Sequence, residues 1–232
     1  MNNWKKIWEA RNLSNYQSSE VNLETLINLD GFDGGAGRIK SCDWLEYASL
    51  IVNKLGISKN QSVYEVGCGS GAFLFALKKI VDIDVSGSDY SKNLIKVANE
   101  IFNNNFECIE AKKINVNPKY DFVVSNGVFH YFDLEYALKV LGIMVQKAKK
   151  GIAILEIPDF DRMFEAEEIR KDTLPYNEYI KKYAGLNHTY YKRQWFADFA
   201  NKNNLEFEIM NQFIPNYIQS SFRFNVFLKK FK

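Results

Sequence analysis

The chain is expected to fold as an α/β domain: a mostly parallel sheet with helices on both faces, finished by an antiparallel strand pair. Three observations carry this expectation. Between residues 61 and 158, short β-branched runs alternate with helical segments, the order that builds a parallel sheet. A glycine turn, "EVGCGSG" (65–71), joins the first such run to the helix after it. The last two apolar runs, "LEFEIMNQF" (205–213) and "SFRFNVFLKK" (221–230), alternate and are joined by a short connection, which suits antiparallel neighbours.

The elements follow in order. Trp4, Ile7, Trp8 and Arg11 share helical spacing, as do Leu23, Leu26 and Ile27, so the N-terminal region predicts helices. "DGFDGGAGR" (30–38) interrupts them, too rich in Gly and Asp for helix or strand. "DWLEYASLIVNKLGI" (43–57) predicts a helix capped by Asp43 and ended by Gly56. "QSVYEV" (61–66) is the first strand, and 71–80 the helix after the glycine turn. "DIDVSGSD" (82–89) is a strand, and "SKNLIKVANEIFNN" (91–104) a helix with Ser91 as N-cap. "FECIEA" (106–111) and "YDFVVSNGVF" (120–129) are the third and fourth strands. A helix over 133–149 follows, its end carrying the basic run "KAKK" (147–150), where cations suit the carbonyl end. "GIAILEI" (151–157) is the fifth strand, stopped by Pro158. Residues 159–190 are polar and aromatic and too long for a plain connection; they read as a lid. A helix over 191–204 leads into the terminal strands.

The expected organisation is one domain over 1–232: an N-terminal helical segment (1–58), a core (61–158), a lid (159–190), and a terminal helix with its strand pair (191–232). The 47% hydrophobic and 25% charged content is ordinary for a globular chain, and the net charge of +2 argues for no particular partner. The lysines are scattered rather than gathered on one face, so no nucleic-acid substrate is expected. Cys42, Cys68 and Cys108 form no C-x-x-C pair, which predicts neither a zinc site nor a disulfide scaffold and points to a reducing compartment. The start, "MNNWKKIWEARN", lacks an apolar signal core. No stretch approaches the ~18 apolar residues of a membrane span. The expectation is a cytoplasmic protein with no membrane partner and no metal; the oligomeric state stays open.

Gly67, Gly69 and Gly71 let the backbone turn tightly and approach a ligand, with free N–H groups at the helix that follows. The spacing also satisfies G-x-G-x-x-A if Ala72 takes the last place, the dinucleotide fingerprint. Asp89 ends the next strand, where an acid accepts hydrogen bonds from ribose hydroxyls. These two features leave NAD and other nucleosides unseparated. Glu65, two residues before the first glycine, suits a cationic ligand better than a pyrophosphate.

At this point the sequence resembles a family. "VYEVGCGSG" is similar to motif I of the class I S-adenosylmethionine-dependent methyltransferases, and "VSGSDYS" (85–91) to their second motif. "IEA" (109–111) sits where an acidic-then-small pair borders the adenine, and "YDFVVSNGVFHYF" (120–132) resembles the fourth-strand segment. The terminal strand pair suits the family's seven-stranded Rossmann-like sheet. The resemblance covers roughly residues 40–160 and the C-terminal hairpin. It implies S-adenosyl-L-methionine as cofactor, with Gly67, Cys68 and Gly69 against its methionine part, Asp89 on the ribose diol and Tyr90 against the adenine. Glu110 or the Ala111 backbone would meet the adenine edge, and Asn126 would sit near the methionine or ribose. Glu65 reads either as a direct cofactor contact or as a residue bonded to the loop backbone. Tyr90 is also open to a packing role.

Methyl transfer from a sulfonium is an in-line displacement, served chiefly by alignment. A base is needed only where the acceptor must lose a proton. His130, after the fourth strand, is the first candidate, with a loop-shaping role as its alternative. His188, in "NHTYYKR", is the second, with solvent as its alternative. Tyr190 and Tyr191 are candidates for touching a substrate, and Asp33 and Arg38 from the glycine-rich break for touching a substrate or the cofactor carboxylate, with a rigid, ligand-free turn as the alternative for the break. The expected activity is methyl transfer to a small molecule, first to oxygen. "SNGV" after the fourth strand departs from the N-P-P-[YF] type associated with base amino groups. A nicotinamide-dependent oxidoreductase and a non-catalytic interaction module are the rival readings. Arg223 and Asn225 alternate with Phe222, Phe224 and Val226, which predicts a polar face on the last strand, either solvated or bordering the pocket.

Overall fold

The structure is a computed structural model, and it describes residues 3–13, 21–32, 39–103, 105–172, 175–178 and 185–230. Strands β1 (Ser62–Val66), β2 (Asp84–Asp89), β3 (Phe106–Cys108), β4 (Tyr120–Asn126), β5 (Ala148–Pro158), β6 (Leu205–Asn211) and β7 (Arg223–Lys230) form one sheet in the order β3-β2-β1-β4-β5-β7-β6. β1 to β5 pair in parallel, and β7 inserts antiparallel between β5 and β6. The order reverses between β1 and β4, both of which flank the crevice where open α/β sheets bind their ligands.

Period-2 alternation splits the strands between two apolar layers. Val63, Phe122, Val124, Ala153, Leu155 and Phe227 face one layer, with helices α3 (Ser41–Leu55), α4 (Ala72–Ile80) and α5 (Lys92–Phe102). Tyr64, Val66, Val123, Ile152, Ile154, Val226 and Leu228 face the other, with α6 (Leu134–Lys147) and α8 (Arg193–Lys202). The N-terminal helices α1 (Asn3–Ala10) and α2 (Leu23–Ile27) lie on the α5 and α4 side: Ser91 Oγ donates to the Trp8 carbonyl, and Ser70 Oγ to that of Leu26.

Several expectations change in detail. The break at 30–38 begins later, because Asn28–Phe32 continues α2 as a π-helical turn with Gly31 at φ 91°; residues 33–38 lie outside the described residues. α3 starts at Ser41, and Asp43 serves its N-terminus from the third position by accepting the Lys40 N–H at 2.8 Å. The third strand ends at Cys108, and β4 ends at Asn126, before a 3-10 turn at Phe129–Tyr131. The basic run closes α6 only at Lys147, and Ala148 already opens β5. Lys147 is buried, its ammonium 4.2 Å from the Tyr64 ring centroid and donating to the carbonyls of Asn115 and Pro118. Within 159–190, Phe160–Arg162 forms a 3-10 turn and α7 spans Met163–Asp172; 173–174 and 179–184 lie outside the described residues.

The polar face predicted for the last strand is not solvated. Arg223 and Asn225 are buried because β5 bulges between Ile154 and Ile157 and presents Glu156 to them. Arg223 Nε lies 3.2 Å from Glu156 Oε1, and the Glu156 N–H donates to Asn225 Oδ1. Glu156 holds φ 62°, a left-handed conformation rare for a side chain of this size, and bulges characteristically re-aim side chains beside functional sites.

Candidate active site

The glycine turn is built by backbone geometry that only glycine supplies. Gly67 and Gly69 have φ of 72° and 53°, and the N–H of Gly67 donates to the Ser88 carbonyl at 2.7 Å. A Cβ on Gly69 would stand 2.3 Å from Asp30 Oδ1, and one on Gly67 would stand 2.5 Å from Val128 Cγ2. The loop is therefore closely wrapped on both sides.

What wraps it is a carboxylate from 40 residues upstream. Asp30 Oδ1 accepts the Ser70 N–H at 2.6 Å, and its Oδ2 accepts the Ala72 N–H at 3.0 Å. The N-terminus of α4, the place where a dinucleotide fold seats pyrophosphate, is thus occupied by the protein's own anion. On the other flank Asp89 Oδ2 accepts the Gly69 N–H at 3.2 Å, and its Oδ1 accepts the Ser91 N–H at 2.7 Å. Glu65, on β1, is 2% exposed, and its Oε2 has no hydrogen-bond partner.

Burial governs the ionisation of all three acids. It lifts the Asp30 carboxyl to about 7 against the pull of the Ser70 and Ala72 amides, with Asp89 adding a smaller push in the same direction. It lifts Asp89 to about 6 despite amide bonds from Ser91, Gly69 and Tyr90. Glu65 is raised well above the usual carboxylate range, by burial first and then by Asp30 and Asp89. Burial also pushes the Cys68 thiol well up, so that Cys68 is a small wall residue rather than a nucleophile.

These groups line one cleft at the carboxyl ends of β1, β2 and β4, with about 770 Å³ of empty space including its mouth. Among the described residues its wall holds Asp30, Glu65 and Asp89 and no Lys, Arg or His. Tyr90, Ile109 and Ala111 form one side, and Asn126 to Val128 the other; Trp8 and Tyr131 also contribute to the wall. Asn126 is fixed from below, since the buried Tyr47 hydroxyl donates to its Oδ1 at 3.1 Å. No group of three His, Cys, Asp or Glu among the described residues could hold a metal ion.

Of the residues singled out from sequence, Glu65, Gly67, Cys68, Gly69, Asp89, Tyr90, Ala111 and Asn126 converge on this cleft. Glu110 does not; its carboxylate turns outward to Lys113 at 3.4 Å and Lys5 at 4.0 Å. Tyr191 is fully buried, its hydroxyl donating to the carbonyls of Phe129 and Phe132, and so it braces the turn after β4 instead of meeting a substrate. Tyr190 is partly buried and close enough to Arg223 to act on its charge. Asp33 and Arg38 lie outside the described residues. His130 and His188 stand behind Tyr131, their rings 4.5 Å apart and absent from the wall of the cleft. Asp30, Trp8 and Tyr131 escaped the sequence reading. For Asp30 the local signal was an acid before a glycine, but its partners in α4 are visible only in the fold.

Comparison with known proteins agrees with this architecture. Residues 63–151 match a family described as a methyltransferase domain. Malonyl-[acyl-carrier protein] O-methyltransferase of Acetivibrio thermocellus is 31% identical over 92 residues, covering 37% of this chain and 32% of that protein. Ribosomal protein L11 methyltransferase of Lactobacillus johnsonii is 29% identical over 126 residues, 50% of this chain and 39% of that protein. The chain thus spans about a third of the length of these two relatives. Among solved structures, the plantazolicin methyltransferase BpumL with SAH and a triazolic desmethylPZN analog aligns over 100% of both chains at TM-score 0.65 and 16% identity. Magnesium protoporphyrin IX methyltransferase from Synechocystis PCC 6803 with SAH aligns over 98% of this chain and 94% of that one at TM-score 0.57 and 15% identity. The chain thus has the fold of the class I S-adenosylmethionine-dependent methyltransferases, and its residues 63–151 match a methyltransferase domain.

Proposed function

We propose that the chain binds S-adenosylmethionine in the β1–β2–β4 cleft and catalyses transfer of its methyl group to an oxygen of a small-molecule acceptor by in-line displacement. One observation carries the reading: a cleft walled, among the described residues, by the buried Glu65 and the partly buried Asp30 and Asp89 with no cation beside them, and with the α4 amides already taken by Asp30. A pyrophosphate would meet like charge there, whereas a ligand with an ammonium and a sulfonium meets complementary charge. When bound, S-adenosylmethionine supplies an electrophilic methyl group on a good leaving group.

The chain's own residues hold and orient. Glu65, with its unpartnered oxygen, and Asp30 would take the ammonium end, while Asp89 would accept from the ribose diol. Tyr90, Ile109 and Ala111 would flank the adenine, and the Gly67–Gly69 backbone leaves room for close approach. Trp8 and Tyr131, whose rings lie 5.9 Å apart, help to keep water from the cleft. The relatives' names span a carrier-bound malonyl group, a protein, a porphyrin and a peptide product, so the shared cofactor half does not specify the acceptor; the fold supports many by variation elsewhere. Action in the cytoplasm belongs to the same proposal and fits three free cysteines.

The test is calorimetric titration with S-adenosylhomocysteine beside NADH under identical conditions. Micromolar binding of the former alone is expected. Binding of NADH alone overturns the reading.

A further inference from the structure

The polar cluster behind Tyr131 takes no part in holding a cofactor, and its geometry points to a second ligand. His130 follows β4 and His188 precedes Tyr190; the Thr189 N–H donates to the His130 carbonyl at 2.8 Å and ties the two segments together. Tyr131, itself a wall residue of the cleft, lies against both rings, with centroids 4.0 Å and 5.8 Å away. The pair is therefore one aromatic ring removed from the cleft. Trp4 stacks on His188 at 4.9 Å, with the planes 18° apart.

The hydrogen bonds fix what these rings can do. Arg170 Nη2 lies 2.7 Å from His188 Nδ1. A guanidinium only donates, so Nδ1 accepts and the neutral ring carries its proton on Nε2. His188 thus has no lone pair left to act as a base. Its Nε2–H is shielded from solvent and has no acceptor, and His130 Nδ1 is likewise buried without a partner. An unpaired buried donor is costly, which is the mark of a group set to meet a ligand atom.

Among the described residues, two guanidiniums and one engaged acid stand near the pair. Burial holds both rings well below the ordinary histidine range, helped at His130 by His188 and then by Arg223 on β7 and Arg170 on α7, and at His188 by Arg170 and then Arg223. The nearby acid, Glu156 on β5, is engaged by Arg223 and by the Tyr217 hydroxyl at 3.0 Å. Weakly basic rings in a positive field suit donation to an anion, not removal of a proton. A carboxylate, with two oxygens and no proton of its own, can accept from both rings at once.

We propose that His188 Nε2–H and His130 form the recognition point for a carboxylate carried by the methyl acceptor, so that acceptors are carboxylate-bearing small molecules. This rests on the reading of the neighbouring cleft as the methyl-donor site. It assigns the two histidines to acceptor recognition instead of base catalysis.

The experiment uses the full chain saturated with S-adenosylhomocysteine and three probes: benzoate, phenyl phosphate and benzyl alcohol. Histidine side-chain NMR follows the two rings, and tryptophan fluorescence follows Trp4. Benzoate is expected to shift both histidine resonances, raise their midpoints of titration and change the fluorescence, while benzyl alcohol does neither. His188→Leu should weaken benzoate binding on the order of tenfold or more, and His188→Gln, which keeps a donor, should restore most of it. Histidine resonances unmoved by benzoate, or equal responses to benzoate and benzyl alcohol, overturn the inference while leaving the cofactor reading intact. Preference for phenyl phosphate overturns the carboxylate assignment. Failure of S-adenosylhomocysteine to bind at all removes the cofactor reading and this inference with it. Should His188→Leu fail to fold, the wild-type spectra alone decide.

Discussion

The two regions on either side of Tyr131 are built from opposite chemistry. At the glycine turn, three carboxylates crowd a cleft that has no cation among the described residues, and burial drives their affinities for protons up. Beyond Tyr131, two neutral histidines sit in the field of two arginines, and burial drives their affinities down. In both regions desolvation is the largest influence, and in both it disfavours the charged form. The sign of the surrounding charge then separates them, since one end favours a cation and the other an anion.

The largest effect expected from breaking this contrast lies on the basic side. Arg223→Met strands Glu156 as a buried, unpaired acid, and should cost about 3–5 kcal/mol of stability in chemical denaturation. The double variant Glu156→Gln/Arg223→Met should recover much of that loss. If the single and double variants are equally unstable, the Arg223–Glu156 pair is not what holds the bulge.

On the acidic side, Asp89→Ala and Glu65→Gln should each weaken S-adenosylhomocysteine binding by ~1–3 kcal/mol in calorimetry; Glu65→Gln should leave the melting temperature little changed, whereas Asp89→Ala should also lower it by freeing the Gly69 and Ser91 amides. Unaltered affinity in either variant would sever that carboxylate from the ligand. Asp30→Ala tests the link between them: loss of the α4 cap should cost ~0.5–2 kcal/mol of stability. It should also expose the Ser70 and Ala72 amides, so that pyrophosphate binds the variant more tightly than the wild-type chain.

The smallest effect is the response to pH, and its sign is unusual. Asp30 and Asp89 have folded-state values raised to about 7 and about 6, so the folded chain holds protons that the unfolded chain has released. Their contribution to stability is complete below the unfolded value and is lost as pH rises through 6 to 7. The histidines act oppositely: with folded values depressed, they subtract stability as pH falls through the ordinary histidine range. Thermal melts of the ligand-free chain should therefore improve modestly from pH 8 towards about 6.5 and then level or decline. Affinity for S-adenosylmethionine should run the other way and increase from pH 6 to pH 8, because a cation prefers the ionised acids. A melting temperature that climbs with pH across this range would contradict the acid cluster.

The sheet was legible because its determinants are local. β-branched runs, glycine punctuation and a Ser91 cap, whose Oγ does accept the Leu94 N–H, all sit within a few residues of what they specify. The glycine turn, Asp89 and Asn126 were legible for the same reason, as motif residues at the ends of strands. Glu110 misled because neighbouring in sequence says nothing about which way a side chain turns once Lys5 and Lys113 compete for it. Alternation on β7 was read correctly as two faces, but the assignment of water to the polar one failed on a single bulge in β5.

The sequence by itself therefore determined the order of strands and helices, the glycine turn and the acids at its edges, since each depends on propensity and spacing over a few residues. Only the tertiary structure decided that Asp30 crosses 40 residues to cap α4, that Glu156 and Arg223 are buried together, and that Arg170 sets the tautomer of His188. Those arrangements pair polar groups far apart in the chain, and they are selected by the cost of burying a charge or a donor without a partner, a cost that exists only once the chain has closed around it.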